Sequence, residues 1–159
     1  MTRKRVLGAV VPILVVMHLF LHVSLGIEGG APDLLTLALL LAARVSGMGL
    51  AGALGFLLGL LEDAFSVLAF GASTLAMTLL GILSARTRDL FVGDSLRFFF
   101  VYFFGGKLLR EAVYWIVAGE IVRDPFPASV LVDGGIAAFY VAALGTLLVY
   151  VLGGTRALR

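Results

Sequence analysis

The residues ARVSG, Ala43 to Gly47, interrupt an apolar run that otherwise continues from Leu34 to Leu61. Read straight through, the run is one long helix and the chain has five apolar spans. Broken near Arg44, it is two short helices and the chain has six. Apolarity does not separate these readings; charge does. With six spans and the N-terminus inside, Arg3, Lys4, Arg5, Arg44, Arg86, Arg88, Arg97, Arg156 and Arg159 fall on one side. Glu28, Asp33, Glu62, Asp63, Glu120 and Asp124 fall on the other, with Arg123. An excess of Lys and Arg in short loops marks the cytoplasmic face of a membrane. Five spans would put Glu62 and Asp63 inside and Arg86 and Arg88 outside, against that rule. The sequence therefore predicts an all-α membrane protein, a six-transmembrane-helix bundle with both termini cytoplasmic. Residues 1–159 form a single integral membrane domain, with spans at about 6–27, 34–46, 47–61, 64–85, 98–118 and 130–152.

Composition agrees. The chain is 61% hydrophobic and 14% charged, with a mean hydropathy of +1.11. Soluble domains average about 45–50% apolar and about 25% charged. Cysteine is absent, which excludes a disulfide framework, a thiolate metal site and a Cys nucleophile. The net charge is only +2, and its basic residues cluster at span ends, so nucleic acid is not the expected partner. MTRKR followed by the apolar stretch Val6 to Ile27 reads as an uncleaved first helix, since that stretch is too long for a signal peptide and the rest of the chain is equally apolar. Asp33, closing the turn cluster EGGAPD, is placed to cap the next helix. The second and third spans are shorter than the usual 17 or more residues, which suits helices enclosed in a bundle or a re-entrant hairpin.

Gly47, Ala51, Gly55 and Gly59 recur every four residues and predict a small-residue ridge, against a neighbouring helix or a partner protein. Thr74, Thr78, Gly81 and Ala85 offer a looser surface of the same kind. His18 and His22 share a helix face at i, i+4, with Glu28 beyond the helix end; no HExxH pattern accompanies them, and a polar stripe is the expected role. Lys107, Arg110 and Glu111 lie inside the fifth span. Each charge at such depth costs roughly 2.5–3.5 kcal/mol on insertion scales, so these side chains are expected to face inward and find partners. Lys107 and Glu111 can pair at i, i+4. Arg110 needs another acid, and Asp63 is the expected one, with Glu62 facing water and Ser66 capping the following helix. The aromatic run Phe98, Phe99, Phe100, Tyr102, Phe103 and Phe104 reads as an interfacial belt with lipid-facing bulk. No nucleophile elbow, phosphate loop or metal motif is present. The sequence predicts neither catalysis nor a cofactor.

The stretch ARVSGMGLAGALGFLLGLLEDAFSVLAFGASTLAMTLLGILSARTR (43–88) resembles MreD, the rod shape-determining membrane protein family. The resemblance rests on the glycine-rich span leading into Gly59-Leu60-Leu61-Glu62-Asp63, on Gly71 after a short turn, and on the span ending in SARTR. It covers about a third of the chain. It implies a non-enzymatic scaffold of the cell-elongation (rod) complex in the bacterial cytoplasmic (inner) membrane. That scaffold would bind MreC directly and, through the complex, the RodA polymerase, a class B penicillin-binding transpeptidase and MreB, supporting peptidoglycan synthesis and cell shape. The family is also similar in fold to the S components of energy-coupling-factor vitamin transporters, so a substrate-binding transporter subunit is the alternative expectation.

Overall fold

A computed structural model describes residues 3–25, 33–65, 69–90, 95–119 and 127–152. They form six α-helices: α1 (Arg3–Leu25), α2 (Leu34–Ala43), α3 (Met48–Asp63), α4 (Ala72–Leu90), α5 (Leu96–Val117) and α6 (Gly134–Val151). A π-helical turn, Pro127–Asp133, runs directly into α6. The break near Arg44 is present, as the charge pattern required.

α2 is the centre of the bundle and touches all five other helices. Its sequence, LLTLALLLAA, has no polar face, and all ten residues are buried. A helix that is apolar all round has to be enclosed. Its one hydroxyl, on Thr36, donates to Asp33 Oδ2 at 2.5 Å. The Asp33 side chain also accepts from the Thr36 backbone N–H at 2.9 Å, which completes the N-cap that its position suggested. At 1.5 Å per residue α2 is only about 15 Å long, half a hydrocarbon core of about 30 Å. Length is not required of it, because neighbours cover every side.

Among the described residues one helical run, Val130–Val151, is by itself long and apolar enough to cross a membrane. Six such crossings were expected. α1 contributes the apolar stretch Gly8–Leu21, α2 and α3 have only 10 and 16 residues, and α4 and α5 carry RTRD and the Lys107–Glu111 charges within their length.

α4 begins at Ala72, not at Ala64 as the apolarity of AFSVLAF implied. An apolar connection and an apolar helix have the same hydropathy, and only their hydrogen bonds differ. Here Gly71 takes φ +96°, a conformation open to glycine at little cost. Ser66 lies outside the described residues, and the residue that caps α4 is Asp63.

α3 and α4 pack backbone to backbone. A Cβ on Gly55 would strike the Met77 carbonyl, and one on Gly59 would come within 2.5 Å of the Ser73 carbonyl oxygen and of Thr74 Cα. The expected ridge is thus used inside the chain. Ala51, Gly55 and Gly59 face α4, whose Gly81 returns the contact against Ala51. Gly47 does not share it; it is exposed and precedes the first turn of α3. Gly55→Ala should therefore destabilise the fold by about 1–3 kcal/mol through overpacking. Gly49→Ala, on the same helix where an added Cβ meets nothing within 4 Å, should stabilise it by roughly 0.4–1 kcal/mol. Thermal unfolding of the two variants side by side reads the opposite signs.

The aromatic run is not a lipid-facing belt throughout. Phe99 and Phe103 are fully buried, one helical turn apart on the inner face of α5, while Phe98, Phe100, Tyr102 and Phe104 are half-buried and pack against the same core. Helical periodicity divides a run that composition alone treats as one surface.

Candidate functional site

Charged side chains converge where the N-terminus of α2 meets the C-terminal end of α3 and the C-terminal half of α5. Lys107 Nζ lies 2.7 Å from Asp33 Oδ2, and Arg110 Nη1 lies 3.0 Å from the same oxygen. Arg110 Nη1 also reaches Glu111 Oε1 at 3.0 Å. Lys107 pairs with Glu111, and Arg110 Nη2 pairs with Glu62 Oε1. The Arg110 guanidinium stands 5.9 Å from the centre of the Tyr114 ring. Both cations are buried. Three carboxylates face two cations, and all five residues form one network.

Asp33 is the pivot. It caps α2 and accepts from both Lys107 and Arg110. Burial works against its charge, but the two cations beside it outweigh burial and hold its carboxyl well below the usual carboxylate range. A carboxylate capping a helix start is also favoured there by the helix dipole. The cap is legible in the sequence and the bridge is not, because nothing in the spacing of Asp33 and Lys107, 74 residues apart, records that they meet.

The pairing expected between Asp63 and Arg110 is not made. Adjacent residues on a helix point about 100° apart, so only one of Glu62 and Asp63 can face α5, and it is Glu62. Asp63 turns toward α4. Its carboxylate accepts from the backbone N–H groups of Gly71 (2.9 Å), Ser73 (3.1 Å) and Thr74 (2.9 Å), and from Thr74 Oγ1 (2.6 Å). It is fully buried and satisfies the orphan donors that every helix start leaves. The other expected pair, Lys107 with Glu111, is present within the network. Glu62→Gln combined with Arg110→Met should show coupling well above 0.5 kcal/mol in a double-mutant cycle, and Asp63→Asn with Arg110→Met should be additive within about 0.3–0.5 kcal/mol. Unfolding free energies of the five variants and the parent test both statements.

At the other end of α2 stands Arg44, expected on charge grounds at the cytoplasmic face. It is buried, its guanidinium 5.3 Å from the ring centre of Phe98 and 5.6 Å from those of Phe99 and Tyr102. Its Nε and Nη1 are buried without a hydrogen-bond partner. An arginine at a helix end carries no sequence signal for such a place.

Among the described residues no group of three or more His, Asp or Glu is arranged to hold a metal. The His22 side chain and Glu28 lie outside the described residues; His18 lies on α1 and makes contacts of its own. The network suits structural cross-linking of three helices. Its carboxylates and cations are engaged with one another.

Compared with protein-family models, with curated proteins and with solved structures, the chain matches none.

Proposed function

We propose that the chain is an integral-membrane helical bundle that serves as a non-enzymatic scaffold of the bacterial cell-elongation complex and docks the membrane helix of MreC. The observation that carries the membrane part is a reversal of polarity. Asp63, Lys107, Arg110 and Arg44 are 0%, 4%, 6% and 7% exposed, while Val151, Val101 and Val16 are 72%, 67% and 65% exposed. Exposed large apolar side chains also run along α3, α4 and α6. In water the exposed patches would be a severe liability. In lipid they are solvated and the charges are the groups that must turn inward and pair.

The scaffold part rests on the resemblance to MreD over residues 43–88. Both acids of its most specific element have a place in the fold, Glu62 in the ion network and Asp63 at the start of α4. Those contacts support a helix pair built as a rigid unit, which is what a scaffold has to present. Both termini are assigned to the cytoplasm. A reporter fused after Arg88 should read cytoplasmic and one inserted near Asp124 external; an external signal at Gly47 would defeat the six-span arrangement. MreC co-expressed with the chain should copurify with it in detergent without added nucleotide or metal. Tight binding of a vitamin by the purified chain, with no association with MreC, would establish the transporter subunit instead.

A further inference from the structure

A groove of about 350 Å³ runs between α4 and α5, walled by Leu80, Leu83, Phe98, Val101, Tyr102 and Leu109, with Gly105 also lining it. Leu83, Val101, Gly105 and Leu109 are exposed, so it opens on the outside of the bundle. Two of its three hydroxyls, on Tyr102 and Thr87, are already engaged, and Ser84, which carries the third, is buried. Tyr102 donates to the Leu40 carbonyl at 2.9 Å, and Thr87 donates to the Ser84 carbonyl at 2.7 Å. What faces the space is therefore apolar.

One end of the groove is different. Phe98 and Tyr102, two of its walls, are the rings on which the Arg44 guanidinium rests. Arg44 is 93% removed from solvent by its 7% exposure, yet two of its nitrogens donate to nothing. A buried donor without an acceptor costs about 1–3 kcal/mol, and more when charged. Stacking on the rings offsets only part of that. Exposed Arg86 and Arg97 stand beside the groove residues Thr87 and Phe98 in sequence. The side chains of Asp89 and Asp94, the nearest carboxylates in sequence, lie outside the described residues.

We propose that the α4–α5 groove binds one acyl chain of an anionic phospholipid, with the headgroup phosphate taken by Arg44 and the flanking Arg86 and Arg97. The proposal rests on the reading of the chain as a membrane bundle. Charge favours an anion. Guanidinium groups bind phosphate oxygens in pairs, and basic pockets between helices on the cytoplasmic side are where anionic headgroups are held.

The test uses the full chain. Resistance to carbonate extraction from membranes is measured first. The chain purified in a nonionic detergent is then titrated with phosphatidylglycerol or with phosphatidylcholine of the same acyl chains, and thermal unfolding is followed. At roughly 100 times its dissociation constant, phosphatidylglycerol should raise the midpoint by roughly 5–10 °C, and phosphatidylcholine by far less. Arg44→Gln removes the headgroup site and should lose the phosphatidylglycerol shift, while the lipid-free midpoint changes little, because the ring stacking it gives up is offset by relief of two buried donors without acceptors. Gly105→Trp fills the groove from a position where a Cβ meets nothing within 4 Å, and should lose the shift with the fold intact. A chain released by carbonate overturns the membrane reading and the lipid site together. A retained chain with equal response to both lipids, or with its shift unchanged in Gly105→Trp, overturns the lipid site alone. So does a Gly105→Trp variant that keeps the lipid shift and instead loses a copurifying protein, which would make a partner helix the occupant.

Discussion

Arg110→Met should lower stability by about 3–5 kcal/mol, the usual cost of removing one partner from a buried ion pair. Methionine matches the arginine stem in length, so the packing of the stem is largely kept, and what is lost is the guanidinium with its ion pairs and its place over the Tyr114 ring. Without Arg110, Asp33, Glu62 and Glu111 share a single cation, Lys107. Glu62 suffers most. Its Oε1 loses the guanidinium and its Oε2 already has no partner. Neutralising that acid in the same chain, as Arg110→Met with Glu62→Gln, should recover a measurable part of the loss. Unfolding of the two variants and the parent, in whichever detergent or buffer keeps them monodisperse, reads the difference. An Arg110→Met variant as stable as the parent would mean that the network contributes nothing to the fold.

Asp63→Ala should cost roughly 3 kcal/mol. The substitution leaves the N–H groups of Gly71, Ser73 and Thr74 and the Thr74 hydroxyl without their acceptor. A helix cap is typically worth about 1 kcal/mol, and each donor left unpaired in a buried place adds about 1–3 kcal/mol. Ser73 is buried, whereas Gly71 and Thr74 are half-buried, so water can relieve part of the loss. For a chain of this size 1 kcal/mol moves the midpoint by about 2–4 °C, which gives a fall of roughly 6–12 °C. The start of α4 should also become the first part of that helix to exchange its amide hydrogens. Glu62→Ala lacks that local signature, since Glu62 holds α5 and no backbone group of α4. An Asp63→Ala variant with unchanged protection at Ser73 and Thr74 would remove the carboxylate from its place as the cap.

What the sequence by itself determined is what rests on short-range regularities. The number of helices followed from apolar runs and the charge break at Arg44. The cap at Asp33 followed from a turn cluster ahead of an apolar run, and the Lys107–Glu111 pair from one helical turn. The close approach at Gly55 and Gly59 was legible because a four-residue repeat of small side chains leaves one helix face bare. Which helix would lie on that face was not legible, since every helix of the chain is apolar enough to accept it. The same limit hid the partners of Arg110. Glu62 and Asp63 are chemically equivalent and adjacent, and which of them meets α5 is set by the rotation of α3 about its axis. That rotation is fixed by the backbone contact of Gly55 and Gly59 with α4, which points Asp63 at the start of α4 and leaves Glu62 for Arg110. Asp33 could join the network only after α2 was placed at the centre of the bundle, and Arg44 could be buried under Phe98, Phe99 and Tyr102 only by the same placement. Hydropathy and spacing are properties of one helix at a time. The choice among equally apolar neighbours, and among equally charged partners, belongs to the packing of all six.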